Sequence, residues 1–359
     1  MLYRPDWDEV RENFSAWWRR ELDTPLVQVC STRAGIAPGP WWDGWAFLKH
    51  RDNPERVVRD FDAFCGRTWF GGEAFPNLFV NLGPGVLAAY LSGYLHFDAA
   101  AATAWFEQPR SWEAVEALTF ETDNPWWRYT RRVTELGCAA GRDRFLVSMT
   151  DIGGTADVLA SLRGTGALLE DMLLEPVRVH AALDRIDAAW GRVYDEVSAT
   201  IAQTQHGTTA WMGLWCPERW YPLQCDFAAM IAPDMFREFV VPSIERQCRA
   251  LDHAIYHWDG PGQIPHLDAL LEIPKLDGIQ WVPGDGHPPC DAPEWFPLYE
   301  RILNADKLLV LQVIGDPRNV PAMIRALPNT GRLLLSLWLP AEAEARQFLQ
   351  SVRPREGFP

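Results

Sequence analysis

The stretch HAIYHWDGPGQIPHLDALLEIPKLDGIQWVPG, residues 253–284, decides the reading of the fold. It opens with an apolar, aromatic-rich run (253–259) and turns through Gly260-Pro261-Gly262. It then takes up the helical pattern LDALLEI and ends in a second apolar run (278–284). Two strands joined through a helix imply parallel pairing, because a parallel return needs a long connection. The alternation extends in both directions. TPLVQVCS (24–31), FPNLFVNLG (75–83), FLVSMTD (145–151), TTAWMGLW (208–215), YPLQCDFA (221–228), LLVLQVIG (308–315) and RLLLSLW (332–338) also read as strands. Between them run helical patterns such as GGTADVLASLRG, PVRVHAALDRIDAAWGRVYDEVSATIAQ, PDMFREFVVPSIERQCRALD and VPAMIRAL.

Nine strand candidates are one more than an eight-fold barrel requires. The segments 208–215 and 221–228 are too close for a helix between them, so one is a barrel strand and the other an extension or hairpin arm. The expectation is an α/β chain folded as a (β/α)8 TIM barrel, one domain over residues 1–359, with residues 1–23 a helical extension across the barrel bottom. The Trp-rich stretches 36–48 and 66–76 read as long ordered loops. A doubly wound open sheet is the alternative, but no GxGxxG follows the first strand.

Composition narrows the function. Hydrophobic residues at 48% and charged residues at 23% describe an ordinary globular protein with a sizeable core. A formal net charge of −15 argues against nucleic acid, whose phosphates require clustered Lys and Arg. No apolar run is long enough for a membrane span. The polar, helix-patterned opening MLYRPDWDEVRENF does not read as a signal peptide. Seven dispersed cysteines without a CxxC pair point to reduced thiols and a cytoplasmic setting. Nineteen tryptophans are many for this length, and several stand beside Gly, Pro or Asp at strand ends. Trp211, Trp215, Trp258 and Trp281 are therefore candidates for an aromatic box around a flat or cationic ligand, with aromatic packing beneath loops as the plainer reading.

Barrel enzymes carry their chemistry at the C-terminal ends of the strands. Those ends supply Arg33, Asn81, Asp151, Asp226, His257, Asp259, Gln280, Asp285, Gln312 and Ser336. His257 and Asp259 stand at i and i+2 on a strand and so face the same side. Zinc accepts both donor types but wants three or four protein ligands, and His266, or His287 with Asp285 and Cys290, are candidates to complete a set begun by His257 and Asp259. Asp226 reads either as a turn-capping residue or as a carboxylate that takes a proton or stabilises positive charge. Gln280, Asp285 and Arg33 are expected to contact substrate.

The segment DFAAMIAPDMFREFVVPSIERQCRAL (226–251) resembles the helix after the mid-barrel aspartate of the uroporphyrinogen decarboxylase superfamily. The stretch GGTADVLASLRGTGALLEDMLLEPVRVHAAL (153–183) is similar to that family's third strand and helix. The resemblance spans roughly residues 75–340 and implies the barrel fold. The family includes corrinoid-dependent methyltransferases, whose zinc is held by a His-x-Cys on a late strand and a distant Cys near the last strand. His257 matches the first position, Asp259 stands where the first cysteine would be, and no cysteine follows Cys290. The decarboxylase branch has an Arg-rich opening strand, whereas VQVCSTRAG offers only Arg33, so porphyrinogen decarboxylation is not expected. The resemblance thus implies a methyltransferase or demethylase for a small neutral or cationic substrate, a zinc ion, a corrinoid-carrying protein partner and a homodimer. Two other readings stay open. One is a glycoside-active lyase or hydrolase with Trp platforms and barrel-mouth carboxylates about 5 to 9.5 Å apart. The other is a small-molecule binding protein without catalysis.

Overall fold

The computed structural model describes residues 1–37 and 39–352. Thirteen strands occur among them: β1 (Leu26–Thr32), β2 (Thr68–Gly72), β3 (Asn77–Phe79), β4 (His96–Asp98), β5 (Thr103–Trp105), β6 (Leu146–Ser148), β7 (Thr208–Thr209), β8 (Trp215–Cys216), β9 (Trp220–Gln224), β10 (His253–Asp259), β11 (Gly278–Val282), β12 (Leu308–Leu311) and β13 (Leu333–Ala341). The main sheet runs in the order β2-β1-β13-β12-β11-β10-β9, and every pairing in it is parallel except β2 against β1. Strands β9 to β13 lie side by side in chain order, and the last then pairs with the first. That wrap-around marks a sheet curling on itself, since an open doubly wound sheet reverses its strand order at a switch point.

The main sheet holds six parallel strands and β3 and β6 form a separate parallel pair, a barrel-like arrangement that hydrogen bonding does not close into the expected eight-stranded ladder. β3 and β6 pair only with each other. The break beside β6 is filled by other groups. Ile152 N donates to the Tyr221 hydroxyl at 2.7 Å, and that hydroxyl donates to Thr150 O at 2.8 Å. The Gln205 side-chain amide accepts from Val147 N and donates to Val147 O at 2.8 and 3.0 Å, as a neighbouring strand would. Met149 N reaches Thr209 O on β7 at 2.9 Å. Side chains also serve the free edge of β2, where the Arg4 guanidinium donates to Phe70 O and Gly72 O. Buried main-chain groups require partners, and here they find them outside the ladder.

Of the two adjacent candidates, β9 joins the main sheet, while 208–216 forms the antiparallel hairpin β7–β8. The tip of that hairpin enters the barrel. Ala210 O accepts from Asn77 Nδ2 (3.1 Å), Met212 O from Gln312 Nε2 (2.8 Å) and Gly213 O from Gln28 Nε2 (2.8 Å). The Trp-rich stretches are more regular than a loop reading allows, since 68–72 is strand β2 and Ala46–Lys49 a short helix. Helix α1 (Trp7–Trp18) buries Val10, Phe14, Trp17 and Trp18. Trp18 Nε1 donates to Trp215 O at 2.9 Å, and its ring packs on Trp220 and His253 at the starts of β9 and β10. The helix therefore covers the end of the barrel opposite the mouth. No described helix is long and apolar enough to cross a membrane.

Candidate active site

Strand parity builds the site. Side chains alternate across β10, so His257 and Asp259 face the barrel interior while Tyr256 and Trp258 face the helices. In register with His257 stand Gln224 on β9 and Gln280 on β11. His257 Nδ1 lies 2.6 Å from Gln280 Oε1, Gln280 Nε2 donates to Gln312 Oε1, and Gln312 Nε2 reaches Ser336 Oγ at 3.2 Å. The Ser336 hydroxyl donates to Gln28 Oε1, so an unbroken polar belt runs from β10 to β1.

Two main-chain carbonyls fix the direction of this belt. Met212 O and Gly213 O can only accept, so the amide nitrogens of Gln312 and Gln28 must face them. Gln312 Oε1 is then the acceptor for Gln280 Nε2, which leaves Gln280 Oε1 toward the imidazole. Neutral His257 therefore carries its proton on Nδ1, which leaves the Nε2 lone pair for a ligand. A histidine held in this way serves as a metal ligand or a base.

Carboxylates converge on it. One ligand atom each from Asp226, His257 and Asp259 lie within 4.8 Å of one another. Asp226 follows β9 and is exposed; His257 and Asp259 are half-buried. Burial pushes the Asp259 carboxyl up, the His257 imidazole pulls it down, and the Asp226 charge pushes it up again. Asp259 Oδ1 is buried without a hydrogen-bond partner, an orphan acceptor beside the imidazole. Burial followed by the Asp226 charge raises Asp151 to about 7, although the Gly85 and Gly153 amides and Gln224 favour its ionised form. Gly153 adopts φ +90°, and a Cβ there would fall 2.3 Å from Gly85 Cα, so only glycine lets the two backbones meet around this carboxylate. Burial and the same Asp226 charge also raise Asp157, whose Oδ1 accepts from Phe227 N at 2.7 Å. Sequence reading missed Asp157, which resembles ordinary first-turn charge in TADVLASLR.

The expected residues divide by position. Asp226, His257, Asp259 and Gln280 meet in the mouth. Trp211 joins them, its ring edge-on to His257 at 5.1 Å and its indole Nε1 buried without a partner. The rest of the expected box lies elsewhere. Trp258 and Trp281 are fully buried on the helix-facing side, 4.6 Å apart, with Trp258 Nε1 donating to Gln263 O. Trp215 is buried at the barrel floor, its indole N–H on His206 O. Arg33 donates to Thr68 O, and Asp285 and His287 are exposed on their loop. His266 does not join the Asp226–His257–Asp259 group. It is buried against Phe236, with Nε2 2.8 Å from Ala228 O, and burial lowers its pKa. Cys290 is buried with its thiol on Trp281 O. The residue that stands with His257 and Asp259 is Asp226.

No family model matches the chain, and no curated protein does. Among solved structures it is similar to a methyltransferase from Methanosarcina mazei, with a TM-score of 0.61, 12% identity, and 92% of this chain aligned on 93% of that one. The likeness is one of fold, and it extends over nearly the whole of both chains.

Proposed function

We propose that this chain is a metal-assisted methyltransferase or demethylase acting on a small neutral or cationic substrate. The observation that carries the reading is the Asp226–His257–Asp259 set, with Nε2 of the imidazole left bare and Asp259 Oδ1 orphaned. One imidazole and two carboxylates fit a zinc ion with an open position, and they lack the thiolates that would favour thiol activation. A cation bound there would polarise a coordinated heteroatom of the substrate or acidify a bound water.

The chain's own residues do the rest. Gln280 holds His257 in the Nδ1–H tautomer. Asp226 and Asp259 converge beside His257 and attract positive charge to the mouth. The Trp211 indole offers its face to a methylated cation and its free N–H to an acceptor on the substrate. The resemblance to corrinoid-dependent methyltransferases, together with the fold of the methanosarcinal enzyme, supports a corrinoid protein as the partner that accepts or donates the methyl group. One oxygen of Asp226 and one of Asp259 lie within 4.8 Å of each other and of a His257 ring nitrogen, a convergence that suits a shared cation. Of the four expected tryptophans only Trp211 stands in the mouth, which favours a small methylated group over an extended sugar, and the oriented imidazole among carboxylates favours catalysis over binding alone.

The test combines metal content with turnover. Purified protein and His257→Ala are analysed for metals, then mixed with cob(I)alamin and a panel of methylated amines and aryl methyl ethers while the methyl–cobalt absorption is followed. Zinc and methylcobalamin with the wild type, both lost in the variant, are expected. Absence of metal and of methyl transfer from every donor would overturn the proposal.

A further inference from the structure

A second ligand cluster lies at the opposite end of the barrel and takes no part in the mouth. Cys216 Sγ, a Glu218 carboxylate oxygen and a ring nitrogen of His253 all lie within 4.8 Å of one another. They come from three adjoining pieces of the floor. Cys216 ends the hairpin strand β8, Glu218 stands in the bend before β9, and His253 opens β10. The thiol is wholly buried and lies 3.3 Å from Glu218 Oε2. Asp277 Oδ2 lies 3.2 Å from His253 Nδ1, a ring nitrogen that is buried without a hydrogen-bond partner. That carboxylate is itself fixed, accepting from Ala254 N at 3.0 Å and facing Arg20 at 3.4 Å. A carboxylate this close would accept the Nδ1 proton of a histidine that ligates through Nε2, orienting the ring and strengthening it as a donor. The Trp18 ring covers the imidazole at 4.8 Å between centroids, shielding it from solvent.

We propose that Cys216, Glu218 and His253 bind a zinc-type divalent cation at the barrel floor, with Asp277 as the orienting partner. One sulfur, one nitrogen and one oxygen donor suit a borderline-soft ion, whereas calcium and magnesium ask for oxygen alone. Binding forms the metal–sulfur bond and releases the thiol proton to solvent. The ion joins hairpin β7–β8 to the start of β10. Because Trp18 Nε1 holds Trp215 O, it also fastens helix α1 to the floor. The role is to secure this end of the barrel, and it is independent of the methyl-transfer reading.

Sulfur distinguishes the two sites, because the mouth set contains none. Cobalt(II) is titrated into the metal-stripped full-length protein and the near-ultraviolet sulfur-to-cobalt charge-transfer band is recorded. The band is expected in the wild type, retained in His257→Ala and absent in Cys216→Ser, with zinc content lower by one ion per chain in the latter. Glu218 is exposed, so Glu218→Gln preserves the fold should Cys216→Ser disturb it; there the band persists while cobalt binds about tenfold or more weakly. No sulfur-to-cobalt band in the wild type, a band that survives Cys216→Ser, or unchanged cobalt affinity in Glu218→Gln overturns the assignment.

Discussion

Gln280 Oε1 lies 2.6 Å from Nδ1 of His257, and the belt behind it leaves that oxygen no other orientation. The tautomer of the neutral mouth histidine is therefore set by Gln280, itself oriented by Gln312 and the Met212 carbonyl. Gln280→Leu removes the acceptor, and metal affinity at the mouth should fall about 10–100-fold without unfolding the protein. Gln280→Glu keeps an acceptor and should restore most of it. Competition against a chromophoric chelator measures both; equal affinity in Gln280→Leu and wild type would show that the belt does not position the ligand.

Asp151 gives the fold a pH signature. Its folded pKa, about 7, lies above the ordinary 3.8, so between those values the native state holds a proton that the unfolded chain has lost. Stability should therefore decline as pH rises from about 4 to 7, on the order of 4 kcal/mol in total for this group, and stay lowered above that range. Denaturant unfolding at pH 5 and pH 8 reads the difference, and Asp151→Asn should flatten it. A wild-type profile that rises across this window while the variant's slope is the same would contradict the assignment.

Tyr221 stands in for ladder bonds across the break between β6 and β9. Tyr221→Phe leaves Ile152 N and Thr150 O buried and unpaired, at a cost of about 1–3 kcal/mol. Faster amide hydrogen exchange at Ile152, with little change on β11 or β12, is the local readout.

Trp211 and Trp258 should separate function from stability. Trp258→Ala empties a fully enclosed volume and should cost about 3–5 kcal/mol. Trp211→Ala should change stability much less while weakening substrate binding or turnover. Thermal unfolding beside methyl-transfer rates checks the contrast, and similar destabilisation by both would place Trp211 in the core.

Much of the architecture was legible because strand–helix alternation leaves strong local patterns, and each of the nine apolar runs lies on a strand. The break in the barrel was not legible. It depends on the Tyr221 hydroxyl and the Gln205 amide replacing main-chain partners, and neither leaves a periodic trace. The mouth was read in part. His257, Asp259 and Asp226 emerged from strand ends and same-face spacing. The expected box failed on a signal that was present: once His257 and Gln280 face inward, Trp258 and Trp281 must face outward. Asp157 stayed hidden because first-turn acids are common and its approach to Phe227 is tertiary.

The pairing of β1 with β13 has a consequence for how the chain is made. One side of the first strand finds its parallel neighbour only when residues 333–341 are available, so for most of synthesis that edge stays unmatched. Antiparallel β2 protects the other side early, but the exposed edge is a template for a second nascent chain. Covering residues 26–32 until residues 333–341 emerge would therefore lower the risk of edge-to-edge aggregation.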